Sequence, residues 1–493
     1  MMIKHCMQHP MSDSPLEIPS LFSDSPREEC GIIGVFAPNE DVASMAFFGL
    51  FALQHRGQEA AGIAVSDGET IRLHKDVGLV NQVFTPHNLA PLVGSYAIGH
   101  TRYSTTGAST ARNAQPFLIE TRHGPLAVAH NGNLVNAGAL RKALLDNGVG
   151  LSSSSDTEVI TMMLAGAAGD TWNERLKHTM PRWHGAYSLV ILTLDGVLAV
   201  RDPWGFRPLS VGLLPHGGWA AASESGALRT LGCEAIREVQ PGEIVALSNS
   251  ALSVHQALPP APVQARCVFE HIYFSRPDSF WDGKSVHQVR QNLGRVLAEE
   301  DKAQNGIEAD VVIPVPDSSI PAAIGYAAVS GIAYNDGFIK NRYIGRTFIQ
   351  PTDSLRKQGV ALKFNVIAEN VLNKRVIMID DSIVRGNTTG PLVRLLLQAG
   401  AREVHVRITC PPIMHPCFMG VDMGKHSDLI AHRMRVEEIR EHIDCHSLYF
   451  LSYAGMQKAV GSETGYCGAC FTGRYPIAID PAYEKNSFEK AIA

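Results

Sequence analysis

The sequence predicts two kinds of fold in one chain, an α+β first half followed by an α/β second half on a parallel sheet. Three observations predict it. From Cys30 to about Pro262, β runs alternate with helical stretches, and Leu189–Leu194, Asp195-Gly196 and Val197–Val200 form a hairpin signal. From Arg266 onward the order is strand, loop, helix, strand, as in βαβ units. Arg375–Ile379 reads as an apolar strand of the sort a parallel sheet buries on both faces.

The 493 residues correspond to two to four domains at about 100–200 residues each. A net charge of −5 excludes a globally basic nucleic-acid surface, leaving only a local patch open. No apolar run approaches the roughly 18 residues of a membrane helix, and the longest candidates, such as Ala46–Leu53, are core-sized. Nine Cys are too few for a disulfide scaffold in a chain this long.

Residues 1–29 differ from the rest. Pro10, Pro15, Pro19 and Pro26, several Ser and mixed charge read as a disordered leader with no signal-peptide core. Met2, Met7 and Met11 are alternative starts. Order begins at Cys30, the first residue of a short buried strand, Cys30–Phe36. A Cys that begins its chain could use its own α-amine as base, since that amine has a pKa of about 7.7–8.0. An inert core Cys is the competing reading.

Further along, Leu126–Ala129 leads into His130-Asn131-Gly132-Asn133, which reads as a turn. Such a turn could offer a backbone N–H and the Asn131 amide to an oxyanion. A helix over Ala137–Leu145 follows. Ser152–Ser155 then precede Asp156-Thr157-Glu158, a capped helix start at which Asp156 could simply cap. Arg56 and Arg102 lie in segments flanked by Gly and Thr, where guanidiniums could clamp a carboxylate.

Cys30-Gly31-Ile32-Ile33-Gly34, Leu53-Gln54-His55-Arg56-Gly57-Gln58-Glu59, His100-Thr101-Arg102-Tyr103-Ser104-Thr105 and His130-Asn131-Gly132-Asn133 occur in that order. Together they resemble the N-terminal-nucleophile class II glutamine amidotransferases. The resemblance implies an αββα sandwich with Cys30 as nucleophile and its α-amine as base. It also implies Asn131 and Gly132 at the oxyanion, Arg102 on the glutamine carboxylate, Asp156 on its amino group, and Arg56 as a glutamine-binding support. Glu28-Glu29 before Cys30 resembles the members of the family whose leader is removed.

In the second half, Asp310–Val315 reads as a strand, Pro316-Asp317-Ser318-Ser319 as a loop and Ile320–Val329 as a helix. Arg375–Ile379 runs into Asp380-Asp381 and then Ser382–Thr389, the helix Pro391–Gln398 and the strand Val404–Ile408. Parallel sheets bind ligands at the C-terminal ends of their strands. Paired Asp there can hold sugar hydroxyls and a hydrated Mg²⁺, and Gly386–Thr389 at a helix start suits a phosphate. Neither a P-loop nor a dinucleotide-binding glycine pattern is present.

Val376–Thr389 resembles the phosphoribosyl pyrophosphate (PRPP) signature of type I phosphoribosyltransferases. By that resemblance Asp380 and Asp381 take the ribose hydroxyls and Mg²⁺, and Arg385, Gly386, Asn387, Thr388 and Thr389 take the 5′-phosphate. Asp317, Ser318 and Ser319 form the pyrophosphate loop, with Ser318 near the metal. Lys340 opens a basic, Gly-punctuated loop, Lys340–Phe348, that would close over PRPP and exclude water.

Cys467-Gly468-Ala469-Cys470 is a Cys-x-x-Cys, and Cys417 and Cys267 could complete a four-thiolate site. Cys410 and His415 compete as ligands. Spacing does not separate zinc from iron–sulfur, because both accept four thiolates. Resemblance to the iron–sulfur branch of the glutamine PRPP amidotransferase family assigns a 4Fe–4S cluster to Cys267, Cys417, Cys467 and Cys470. Cys6, Cys233, Cys410 and Cys445 remain plain residues.

The whole resemblance implies a leader over residues 1–29, a glutaminase domain over 30–262, a phosphoribosyltransferase domain over 263–475 and a tail over 476–493. It implies Mg²⁺ and one cluster per subunit, inhibition by purine nucleotides of the AMP, GMP or ADP type, a homotetramer and a cytoplasmic location. No nucleic acid or membrane partner is expected. Two rivals remain: a sugar-phosphate aminotransferase, which the PRPP motif disfavours, and a non-catalytic PRPP- or nucleotide-sensing regulator.

Overall fold

The computed structural model describes residues 30–103, 110–248, 252–304, 306–341, 363–423 and 425–480. The leader with Cys6, Ser104-Thr105, the loop Arg342–Phe348 and the tail from 481 on lie outside the described residues.

The first half holds two antiparallel sheets. In the seven-stranded sheet, Gly31–Phe36 is central and fully buried, between Trp219–Ala222 and Tyr96–Arg102. The six-stranded sheet has Leu126–Leu134 beside Gly185–Leu192, followed by Val197–Arg201. Strand side chains alternate faces, and the burial follows that period. Ile32, Ala64 and Ile98 point between the sheets and meet Ala127, Ala129 and Val190. Their neighbours Ile33 and Ile63 point outward onto Ala46 and Leu50 of the helix Val42–Ala52. On the far side, Val128, Leu189 and Ile191 pack against Val159, Ile160 and Leu164 of the helix Asp156–Gly166. The order of layers is helix, sheet, sheet, helix, as the resemblance implied.

One local reading changes. His130-Asn131-Gly132-Asn133 is not a turn, because the strand Leu126–Leu134 runs straight through it. Asn131 pairs with Ser188 and Gly132 with Tyr187. Tertiary pairing overrides the Asn-Gly turn preference, and glycine makes it feasible: Gly132 has φ of +151°, and a Cβ there would lie 2.0 Å from the Ala186 carbonyl oxygen.

The second half is built on a four-stranded parallel sheet. Its order is Val311–Pro314, Arg375–Asp380, Glu403–Ile408, Ser447–Phe450. One of the two interior strands, Arg375–Asp380, carries Val376, Ile377, Met378 and Ile379, all fully buried. The helices Ile320–Ser330 and Thr389–Gln398 follow the first two strands, which places both strand-to-helix loops at one edge of the sheet. Separately, Arg266–Cys267 pairs in parallel with Tyr466–Cys467.

Ile98 sits fully buried between the two sheets of the first half. Ile98→Ala is expected to cost about 2–5 kcal/mol through lost burial and the residual cavity. Denaturant unfolding followed by tryptophan fluorescence should show an early transition at lower midpoint.

Candidate functional site

Cys30 lies buried at the mouth of the strand Gly31–Phe36. Its Sγ donates to the Tyr103 carbonyl at 3.4 Å. Burial pushes the thiol up to about 11, partly offset by the Tyr103 backbone contact and by Arg102, while Glu59 and Asp156 add to the rise. The charges of Arg102 and Asp156 both act on this sulfur. At neutral pH this thiol is protonated, so nucleophilic attack needs a base.

Arg102 ends the strand Tyr96–Arg102, buried, with Glu59 at 3.9 Å. Asp156 is the first residue of its helix, and Ser155 rather than Asp156 supplies the cap, accepting from the Thr157 N–H. The Asp156 carboxylate accepts the Leu134 N–H at 3.1 Å and faces His130 at 3.7 Å. Burial raises its pKa, but His130 and the Leu134 and Thr157 N–H groups outweigh that and hold it below the usual carboxylate value. Asn131 is buried, and its Nδ2 has no hydrogen-bond partner among the described residues. A buried amide without an acceptor is costly unless a ligand supplies one, which suits an oxyanion donor.

Arg56 has partners that the sequence reading did not name. It was expected on glutamine, and its Nε donates to the Cys30 carbonyl at 3.2 Å. Its Nη1 reaches Glu224 at 2.7 Å and its Nη2 reaches Glu270 at 2.7 Å. Two buried carboxylates and the Cys30 carbonyl accept from the guanidinium, which lies behind the backbone of Cys30. Glu224, Glu270 and His130 were missed. No local pattern marked the two Glu: Glu224 lies between Ser223 and Ser225, and Glu270 beside His271.

In the second half, Asp380 and Asp381 stand at the C-terminal end of the strand Arg375–Asp380. The adjacent loop meets them: Ser318 Oγ donates to Asp381 at 2.6 Å, and Ser319 Oγ to Asp380 at 3.4 Å. Burial raises the Asp381 carboxyl, against hydrogen bonds from Ser318 and Ser382 and the charge of Arg290. The Pro316-Asp317 peptide is cis, and Lys340 Nζ reaches Asp317 at 2.7 Å. Arg385, Gly386, Asn387 and Thr388 lead into the helix Thr389–Gln398, with Gly386 at φ +80°. Thr389 Oγ1 is buried with no partner among the described residues, which suits a phosphate oxygen.

Cys267, Cys417, Cys467 and Cys470 line one cavity walled by Phe206, Phe269, Met423 and Tyr475. Cys267 and Cys467 are direct partners in the parallel strand pair. Cys410 is buried elsewhere in the core and does not line the cavity. Four thiols around an apolar cavity fit a cluster by their chemistry. Among the described residues, no three His, Cys, Asp or Glu side chains converge as ligands of a single metal ion.

Two sites on two folds define the class: a glutamine amidotransferase joined to a phosphoribosyltransferase. Residues 100–230 match the glutamine amidotransferase domain family. The amidophosphoribosyltransferase of Synechocystis is 48% identical over 94% of this chain and 94% of its own. That of Rattus norvegicus is 44% identical over 92% of this chain and 98% of its own. The solved Bacillus subtilis glutamine PRPP amidotransferase, complexed with ADP and GMP, superposes with a TM-score of 0.86 at 44% identity, covering 92% of this chain and 99% of that one. The chain belongs to the amidophosphoribosyltransferase family. It is a glutamine-dependent enzyme that makes 5-phosphoribosylamine, glutamate and pyrophosphate, the first committed step of purine synthesis. The regulator alternative is not favoured. No helix among the described residues is long and apolar enough to cross a membrane.

With residues 1–29 attached, Cys30 should alkylate slowly. Its rate with iodoacetamide, read by peptide mass spectrometry, should rise about tenfold per pH unit from pH 7 to 9 without a plateau, as the high thiol pKa requires. A plateau below pH 9 would mean that burial does not control this thiol.

Proposed function

We propose that Cys30 hydrolyses glutamine once residues 1–29 are removed and its α-amine is free. The amine takes the thiol proton, and the sulfur attacks the amide carbon. The resulting oxyanion is held by Asn131 Nδ2 and the Gly132 N–H. Collapse of the intermediate expels ammonia and leaves a thioester, which water cleaves to glutamate. Arg102 binds the glutamine carboxylate and Asp156 its ammonium group. The observation that carries this reading is the buried, unpartnered Asn131 amide in the same fold as a buried thiol that lacks a base.

In the second site Asp380 and Asp381 hold the ribose hydroxyls, and with Ser318 they would hold Mg²⁺. When bound, that ion would supply charge neutralisation for the departing pyrophosphate; such ions are held by one or two carboxylates plus substrate phosphates. Arg385, Gly386, Asn387, Thr388 and Thr389 bind the 5′-phosphate, and Asp317, Ser318, Ser319 and Lys340 border the pyrophosphate. Ammonia from the first site attacks the anomeric carbon within an enclosed path. Cys267, Cys417, Cys467 and Cys470 hold a 4Fe–4S cluster that ties the end of the parallel-sheet half to its beginning. Residues 30–262 and 263–475 form the two catalytic domains. Purine nucleotides of the AMP, GMP or ADP type inhibit a cytoplasmic homotetramer; support comes from the relative solved with ADP and GMP.

The test is PRPP-dependent pyrophosphate release by anaerobically purified protein with Mg²⁺, comparing glutamine with ammonia. Both donors should work once the leader is removed. Cys30→Ala should abolish glutamine use and keep ammonia use. Asn131→Ala should lower glutamine-dependent kcat by about 10²–10³-fold. Asp381→Asn should depress both. The protein should be brown with about four iron per chain; stoichiometric zinc without colour would overturn the cluster.

A further inference from the structure

Arg56, Glu270 and Arg207 form a buried chain that touches both sides of the glutamine site and starts from the other half of the molecule. Glu270 belongs to the helical turn Glu270–Phe274, after the first-half sheets, and is fully buried. Its two oxygens accept Arg56 Nη2 at 2.7 Å and Arg56 Nη1 at 3.0 Å, a bidentate pair. Ser275 Oγ adds a third hydrogen bond at 2.5 Å. Arg56 Nε donates to the carbonyl of Cys30. On its other side Glu270 faces Arg207 Nη1 at 3.9 Å.

Arg207 in turn donates from Nε and Nη2 to the Met419 carbonyl. Met419 lies in the strap that follows Cys417, and this strap backs the oxyanion strand. Asn133 Nδ2 donates to the Phe418 carbonyl at 2.8 Å. Gly420, at φ +101°, lies so close to Gly132 that a Cβ on it would sit 3.0 Å from the Gly132 carbonyl carbon and 3.2 Å from Arg207 Nη2.

We propose that Glu270 is a positioning residue for glutamine hydrolysis, fixing the Cys30 backbone through Arg56 and the Asn131–Asn133 strand through Arg207 and the 417–420 strap. Charge balance does not demand this layout, because Glu224 already pairs Arg56 from within the first half. What Glu270 adds is a fixed orientation of the guanidinium, and with it the placement of the nucleophile. The Asp381 carboxylate is held by Ser318 and Ser382 rather than by Arg56, Glu270 or Arg207, so the effect falls on glutamine hydrolysis.

The inference rests on the proposed role of Cys30, and the experiment separates the two. Glu270→Gln, Gly420→Ala and Cys30→Ala are prepared as full-length enzyme, purified anaerobically, and assayed with glutamine and with ammonia. Glu270→Gln keeps shape but loses the charge that orients Arg56. Gly420→Ala leaves every charge in place and pushes the strap against Gly132. Each should lower glutamine-dependent kcat by about tenfold or more, with the KM for glutamine changed less than about threefold and ammonia-dependent turnover within about twofold of the parent. Unchanged glutamine turnover in both variants overturns the proposal. An equal fall with both donors also overturns it, since that marks a contact that only holds the fold. Should Glu270→Gln fail to fold, Gly420→Ala carries the test alone. Glutamine turnover that survives Cys30→Ala overturns the reading of the glutamine site itself.

Discussion

One buried guanidinium organises the first catalytic site. Arg56 is almost wholly excluded from solvent, so its charge is affordable only with full compensation. Glu224 and Glu270 provide that compensation, and burial, which opposes the charge, is outweighed by both carboxylates. Removing one member of such a set typically costs about 3–5 kcal/mol, because the remaining charge is stranded. The pair Arg56–Glu270 also spans the two halves of the chain. Glu224 pairs the charge from the first half, and Glu270 fixes the guanidinium's orientation from the second.

The second site uses the opposite economy of means. Its carboxylates, Asp380 and Asp381, sit where parallel strands end, and their partners in the described residues are hydroxyls and backbone groups from the neighbouring loop and their own turn. Among the described residues the Asp381 oxygens accept from Ser318 and Ser382, while Arg290 acts on it from a distance and donates to the carbonyls of His271, Tyr273 and Ser275. Sites for an anion-poor amide and for a polyanion thus differ in how their charges are already satisfied.

How much was legible in the sequence follows from the reach of each interaction. Val376–Ile379 with Asp380-Asp381 could be read directly, because strand, carboxylates and helix start are contiguous. Asp156 was legible as a helix start for the same reason, although Ser155 turned out to cap it. Asn131-Gly132 misled, since local turn preference yielded to pairing with Gly185–Leu192 across the sheet. The layering of the sandwich came from family resemblance and not from periodicity. The partners of Arg56 were not legible, because Glu224 and Glu270 lie 168 and 214 positions away. No spacing rule reaches that far.

The parallel pairing of Cys267 with Cys467 has a consequence for the order of biosynthesis. Cys267 leaves the ribosome roughly 200 residues before its partner, which is about 10–40 s at ~5–20 residues per second. Through that interval the edge of Arg266–Cys267 and the apolar wall behind it wait uncovered, while the sheet between them is still being made. Any metal delivery to this cavity is therefore a post-synthetic event, and the nascent chain depends on chaperoning or on fast packing of the sheet to keep a half-built thiol pocket from reacting first.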